Sequence, residues 1–93
     1  AVNGIKAERP VVAESSPFAG QANVTIDGNY KTITVSSQHV YTVVGADENG
    51  VTLTNPWGYN QTTTKGKNAG ATFTMSWDEF YANFGDVTVG QIP

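Results

Sequence analysis

The chain has 93 residues, with eight acidic and five basic side chains, one histidine and no cysteine. This length supports one domain with a single modest core. Without cysteine the chain has no disulfide, no thiolate metal site and no thiol nucleophile, and a single histidine excludes zinc sites that need two or three imidazoles. A net charge of −3 does not fit a nucleic-acid binder, and no apolar run approaches the roughly 20 residues that span a bilayer.

β-branched residues dominate the composition. Valine, threonine and isoleucine make up 27 of the 93 residues, whereas leucine occurs once, as Leu53. Such side chains suit the pleated, half-buried surface of a sheet better than a helix. We therefore predict a mostly β protein of the α+β class, with an antiparallel twisted sheet or partial barrel and one short helix.

The first part of the chain predicts an arm, a short strand and a hairpin. Residues 1–9 show no periodicity and are expected to form an N-terminal arm, so that one β-rich domain covers residues 10–93. Residues 10–14 fit a short edge or buried strand. Alternating runs on either side of Asp27-Gly28 predict a tight β-hairpin.

The middle of the chain predicts a second hairpin. Residues 39–46 are the most strand-like run, residues 47–50 fit a turn, and residues 51–54 alternate again. Residues 58–70 are rich in Gly, Asn, Thr and Lys, which predicts a long loop.

One helix is indicated near the C-terminus. Ser76 begins a capping box in which its hydroxyl accepts from the amide of Glu79, while the Glu79 side chain reaches back. With Gly85 expected to stop it in the left-handed conformation, the helix is predicted at residues 77–84. Residues 86–92 alternate again and predict a last strand.

The second hairpin brings a titratable group near an orienting partner. With the turn at 47–50, paired residue numbers sum to about 94–97, which places His39 opposite residues 55–58. Asn55 can then accept from one ring nitrogen of His39, leaving the other for general-base work, while Trp57 shields the pair. A shorter turn would instead place Asn55 opposite Val44. A lone histidine at a strand start is also more often a surface or packing residue, and Asn-Pro more often turn chemistry.

Three motifs in order carry a resemblance to a known family. They are His39-Val-Tyr, Asn55-Pro-Trp-Gly and Phe73-Thr-Met-Ser with a phenylalanine four residues after the serine. Together they resemble the calpain-type branch of the papain-like cysteine peptidases, whose patterns are His-Ala-Tyr, Asn-Pro-Trp-Gly and Phe-x-Met-Ser-x-x-x-Phe. The similarity covers roughly residues 10–92, and Val40 stands where the family usually has alanine.

The resemblance implies a function divided between two halves. In that family a helical N-terminal half carries the nucleophilic cysteine, and a β-rich C-terminal half carries the histidine and the asparagine. This chain matches only the second half, so the resemblance implies that His39 is the base, that Asn55 orients its ring and that Trp57 covers both. The partners would be a cysteine-bearing half, from the same precursor or a separate chain, and a peptide substrate.

Alternatives and further expectations accompany this hypothesis. The chain can instead be a catalytically inactive, peptidase-derived module that binds a protein or a polysaccharide. The calcium ligands of animal calpains have no counterpart here, since no Asp or Glu lies between Glu48 and Asp78; we therefore expect no calcium site, no other metal and no cofactor. Asn23 and Asn60 begin Asn-x-Thr triplets, which are common in Thr-rich chains. The composition leans toward an extracellular or cell-envelope location without establishing one.

Overall fold

Strands occupy most of residues 11–89, the part of the chain that the computed structural model describes. The strands are β1 (Val11–Ser15), β2 (Gln21–Ile26), β3 (Asn29–Thr34), β4 (Val40–Asp47), β5 (Gly50–Thr62), β6 (Asn68–Ser76) and β7 (Phe84–Val89), with one helix, α1 (Trp77–Asn83). The predicted mostly β fold with one short helix is confirmed. The predicted arm at residues 1–9 lies outside the described residues.

All strand pairs are antiparallel and form one seven-stranded sheet in the order β3-β2-β6-β5-β4-β1-β7. β3 also pairs with β5, through Ile33 opposite Thr62 and Thr34 opposite Gln61. This additional pairing joins β3, β2, β6 and β5 into a closed circuit, so that part of the sheet is a small barrel. The other strands, β4, β1 and β7, extend from β5 as an open sheet.

The two predicted hairpins are present. Asp27 and Gly28 have φ angles of 52° and 81°, the positive values that a two-residue type I′ turn requires. The turn between β4 and β5 is held by the Asp47 carboxylate, which accepts from the backbone N–H groups of Asn49 and Gly50 at 2.8 and 3.1 Å. Local turn chemistry therefore sets both registers.

The core lies inside the curved sheet and under the helix. Alternate residues of the strands point inward, as the period of two requires. Tyr41 is fully buried at its centre, with edge-to-face contacts to Phe73 and Phe84 at ring-centroid distances of 5.8 and 5.3 Å. The buried hydrophobic residues are Ala13, Ala22, Val24, Ile26, Ile33, Val35, Tyr41, Val51, Leu53, Phe73, Met75, Phe80 and Phe84.

The helix begins as predicted and ends differently. The Ser76 hydroxyl accepts from the Glu79 N–H at 3.2 Å, whereas the Glu79 carboxylate contacts Asn23 rather than reaching back. The expected left-handed stop at Gly85 is wrong, because the chain is already extended at Phe84, with φ −120° and ψ 131°. Stacking of Phe84 on Phe80, at 4.8 Å and 10°, holds the chain in this direct passage from α1 into β7. With seven residues, α1 is too short to cross a membrane, and it is the one helix within residues 11–89.

The predicted long loop at residues 58–70 is also wrong. β5 continues to Thr62 and β6 starts at Asn68, so only residues 63–67 lie outside strands. Tyr59, Asn60 and Gln61 pair with Gly70, Ala69 and Asn68, respectively. Pairing between distant segments overrides the turn-forming composition, because it satisfies the backbone polar groups of both.

A candidate site around His39 and Asn55

The β4–β5 hairpin places His39 beside Asn55. Its pairs run from Asp47 opposite Gly50 to Thr42 opposite Thr54, sums of 97 and 96 that fall within the predicted range. His39 precedes β4 by one residue, and Asn55 follows the last pair. The Nε2 atom of His39 lies 3.0 Å from the Oδ1 atom of Asn55. The structure therefore brings together the two residues that the sequence selected.

A bulge in β5 aims Asn55 at the histidine. Thr54 pairs with Thr72 and Tyr59 pairs with Gly70, so four residues of β5, 55–58, lie opposite the single residue Ala71 of β6. Gly58 has a φ of 90°, a left-handed value that a side chain would strain. The extra length turns Asn55 inward, with 3% of its surface exposed.

The Trp57 ring lies against the ring of His39. Its ring lies 4.2 Å from the His39 ring, centroid to centroid, at an interplanar angle of 32°. Its backbone N–H donates to Asn55 Oδ1 at 3.0 Å. The indole remains 47% exposed, so one face contacts the imidazole while much of the ring meets solvent. Tyr59 lies 5.9 Å beyond Trp57 and is also exposed, which extends the aromatic surface.

Asn60 belongs to the same site, and sequence reasoning missed it. Only 1% of its surface is exposed. Its Nδ2 donates to the carbonyl oxygens of Gly70 and Ala71 at 2.7 and 3.0 Å, and its Oδ1 accepts from Asn55 Nδ2 at 3.2 Å. A buried, fully bonded amide is closed to glycosylation in the folded chain, so the acceptor triplet at Asn60 has a structural role instead. The sequence signal was weak, because this segment resembled a loop.

Ser15 positions the backbone of His39, and it too was missed. The Ser15 N–H donates to the His39 carbonyl oxygen at 2.9 Å, and the His39 N–H donates to Ser15 Oγ at 2.8 Å. The hydroxyl also faces the carbonyl oxygens of Ser36 and His39. Ser15 is 2% exposed and lies at an irregularity in the β1–β7 pairing. No local motif identifies this contact, because its partners are about two dozen residues apart.

Gln38 sets the direction in which the chain enters β4. Its φ of 51° is in the left-handed region, which is uncommon for a residue other than glycine, asparagine or aspartate. Such a conformation costs on the order of 1–2 kcal/mol and persists only where surrounding contacts hold it. Here the adjacent bonds between His39 and Ser15 provide those contacts.

Tyr41 supports the ring of His39 from inside. Its ring meets the imidazole edge to face at 4.9 Å and 79°. Burial raises the pKa of the Tyr41 phenol above its ordinary value of 10.0, and the bond from the Ser36 N–H, at 3.1 Å, partly opposes that rise. The phenol is therefore neutral across the physiological range.

The site leaves one ring nitrogen of His39 open. Among residues 11–85, whose side chains the structure describes, Nδ1 of His39 has no hydrogen-bond partner, and the imidazole is half-buried. Within the same range, no three histidine, aspartate or glutamate side chains come together in a way that could hold a metal ion. The arrangement can accept or donate a proton at Nδ1 toward a group that approaches from outside.

Comparisons with protein-family models, curated proteins and solved structures gave no match to this chain. The three motifs and the geometry of the site are therefore the basis for assigning a function.

Proposed function

We propose that this chain is the histidine- and asparagine-bearing half of a calpain-like cysteine endopeptidase, which hydrolyses peptide bonds. The nucleophilic cysteine would come from outside these 93 residues, since they contain none. The observation that carries the proposal is the His39–Asn55 hydrogen bond of 3.0 Å under the Trp57 ring. His39, Asn55 and Trp57 belong to two of the motifs that resemble that family in order and spacing.

The chemistry of the pair suits thiol activation. Asn55 faces Nε2, so Nδ1 of His39 is the atom that can take a proton from a cysteine and later return it to the leaving amine. An adjacent imidazolium stabilises a thiolate and makes it a better nucleophile at neutral pH. A neutral amide, unlike a carboxylate, orients the ring without adding charge to this thiolate–imidazolium pair.

The exposure of the site fits a shared active site. Trp57 and Tyr59 lie at the surface, and the described recess of about 330 Å³ is lined by other residues, among them Tyr30, Asp47 and Glu79. Neither His39 nor Asn55 lines that recess. A substrate cleft at His39 would therefore form between this chain and the cysteine-bearing half, which is why the isolated chain is expected to be inactive.

The test is reconstitution. The chain is produced together with a candidate cysteine-bearing half, from the same precursor or a separate chain, and cleavage of a fluorogenic peptide is measured with a thiol reductant. We expect activity that iodoacetamide abolishes and that falls by on the order of 10³-fold or more in His39→Ala. Asn83→Ala is the control, since that residue lies outside the site and should change stability more than chemistry. Activity that survives His39→Ala would reject the assignment.

A second candidate function is an inactive module that binds a protein or a polysaccharide. The observation that favours it is the exposed aromatic pair of Trp57 and Tyr59, with ring centroids 5.9 Å apart at 32°, since exposed Trp and Tyr rings combine a large apolar area with a polar group and are enriched at interfaces. It predicts binding by the chain alone, lost in Trp57→Ala and unaffected by His39→Ala. Binding with that pattern, together with no iodoacetamide-sensitive activity, would select this alternative.

A further inference from the structure

We propose that Asn60 is a positioning residue that acts through Asn55 to hold the neutral His39 ring with its proton on Nε2. This inference deepens the proposed function and rests on it, because an open Nδ1 matters for thiol activation. A chain of hydrogen bonds links Asn60 to His39 through Asn55, and each amide in it can point only one way.

The first step is the orientation of Asn60. Its Nδ2 lies 2.7 Å from the carbonyl oxygen of Gly70 and 3.0 Å from that of Ala71. Carbonyl oxygens only accept hydrogen bonds, so the NH₂ end of Asn60 must face them. Ala71 lies opposite the bulge in β5, where the regular ladder is interrupted, so its carbonyl group requires a side-chain partner. The oxygen of Asn60 then points toward Asn55.

The second step transfers this orientation to Asn55. The Asn60 oxygen accepts from Asn55 Nδ2 at 3.2 Å, inside a fully buried contact. The Asn55 oxygen therefore turns the other way, toward His39, where it also accepts the Trp57 N–H at 3.0 Å. A reversed Asn55 amide would place NH₂ against the Trp57 N–H and oxygen against oxygen at Asn60. Burial of Asn60 and Asn55, at 1% and 3% exposure, removes water as a substitute partner.

The third step concerns the histidine itself. Nε2 of His39 lies 3.0 Å from an oxygen that can only accept, so Nε2 carries the proton when the ring is neutral. Nδ1 then presents its lone pair on the side of the ring where none of the side chains described, those of residues 11–85, bonds to it. Asn60 therefore determines, through Asn55, which nitrogen of His39 can act as a base.

The experiment reads the tautomer directly by NMR. In the ¹⁵N-labelled 93-residue chain at pH 9, long-range ¹H–¹⁵N correlations report which ring nitrogen is protonated, and His39 is assigned without ambiguity because it is the only histidine. We expect the Nε2–H tautomer alone in the wild type. In Asn60→Leu we expect the Nδ1–H tautomer to rise to about a tenth to a third of the molecules, because only the Trp57 bond then favours the original Asn55 orientation.

Matched variants separate positioning from packing. Asn60→Gln keeps both the NH₂ donor for the Gly70 and Ala71 carbonyl groups and an acceptor for Asn55, and should keep the single tautomer. Asn83→Leu is the control: Asn83 is also buried, accepts from the Gly20 N–H at 3.0 Å and donates to the Glu79 carbonyl oxygen at 3.0 Å. It should lower stability without altering the His39 tautomer.

Two results would overturn the proposal. One is an Nδ1–H tautomer in the wild type, and the other is a single Nε2–H tautomer in folded Asn60→Leu. Should Asn60→Leu not fold, Asn60→Ser decides by the same criterion, since a shorter polar side chain disturbs the core less and still removes the amide. The readout needs no cysteine-bearing half, so an inactive reconstituted enzyme would reject the proposed function and leave the tautomer result intact.

Discussion

His39 and Asn55 are sixteen residues apart in the chain, yet their side chains meet at 3.0 Å, at the open end of one hairpin. The contact exists because the β4–β5 register is set at the Asp47 turn and because a four-residue bulge in β5 then turns Asn55 inward. Each residue is fixed by a further hydrogen bond: the His39 N–H donates to the Ser15 hydroxyl, and the Asn55 amide donates to the Asn60 side chain. Substitutions at this site can therefore distinguish the effect of orienting the His39 ring from the effect of removing a side chain.

Asn55→Ala is expected to lower kcat of the reconstituted enzyme by on the order of 10²-fold, with a smaller change in KM, because the His39 ring loses its orienting partner. The measurement is steady-state cleavage of the fluorogenic peptide. Asn23→Ala serves as the control, since Asn23 is an exposed amide on β2. Equal kcat in wild type and Asn55→Ala would remove Asn55 from the mechanism.

Trp57→Ala is expected to lower the activity of the reconstituted enzyme. It should have little effect on folding, since the ring is about half exposed. Loss of the indole removes a ring contact worth about 0.5–1.5 kcal/mol and admits water to the His39–Asn55 bond. We expect a fall in kcat of about 10-fold and recovery of most of it in Trp57→Phe. If Trp57→Phe is as impaired as Trp57→Ala, an indole-specific contact rather than shielding is responsible.

Ser15→Ala is expected to destabilise the fold by about 1–3 kcal/mol, because the partly buried His39 N–H loses its acceptor, the hydroxyl of the buried Ser15. Urea unfolding followed by tryptophan fluorescence measures the change in the free energy of unfolding. Ser37→Ala, at an exposed serine two residues before His39, should change it by less than about 0.5 kcal/mol. Equal effects of the two substitutions would show that the Ser15 hydroxyl is not a structural clamp.

Stability is expected to fall at alkaline pH through Tyr41. Because burial raises the pKa of this phenol in the folded chain, the unfolded chain releases the proton first as pH rises above 10.0. The folded state then binds more protons than the unfolded state, so the free energy of unfolding decreases with pH in that range and is unaffected by this group below it. Tyr41→Phe should reduce the alkaline slope, whereas Tyr81→Phe, at an exposed tyrosine, should not.

Gly50→Ala is expected to be strongly destabilising, by about 2 kcal/mol or more, because an added Cβ would collide with the backbone carbonyl oxygen of Met75. A backbone atom in a paired strand cannot move aside without breaking the β5–β6 ladder. Gly45→Ala is the matched control, since no atom lies within 4 Å of its added Cβ. Thermal unfolding followed by circular dichroism should separate the two; equal midpoints would contradict the close approach at Gly50.

Much of the fold could be predicted from local chemistry. The abundance of β-branched residues predicted the sheet, the Asp27-Gly28 pair predicted one turn, and the serine cap predicted where the helix starts. Each signal acts within a few residues, so no tertiary information was required. The failures at residues 58–70 and at Gly85 have one cause: strand pairing and aromatic stacking with distant residues overrode local preference.

The sequence by itself determined the class of fold, the absence of a thiol and the candidates His39, Asn55 and Trp57. The sequence could predict the pairing of His39 with Asn55 because both residues belong to one hairpin, whose register follows from a local turn. Only the tertiary structure decided that Ser15 and Asn60 hold them in place. Those contacts depend on a bulge and on partners in β1 and β6, and buried polar groups must be satisfied by whatever the assembled fold brings near them.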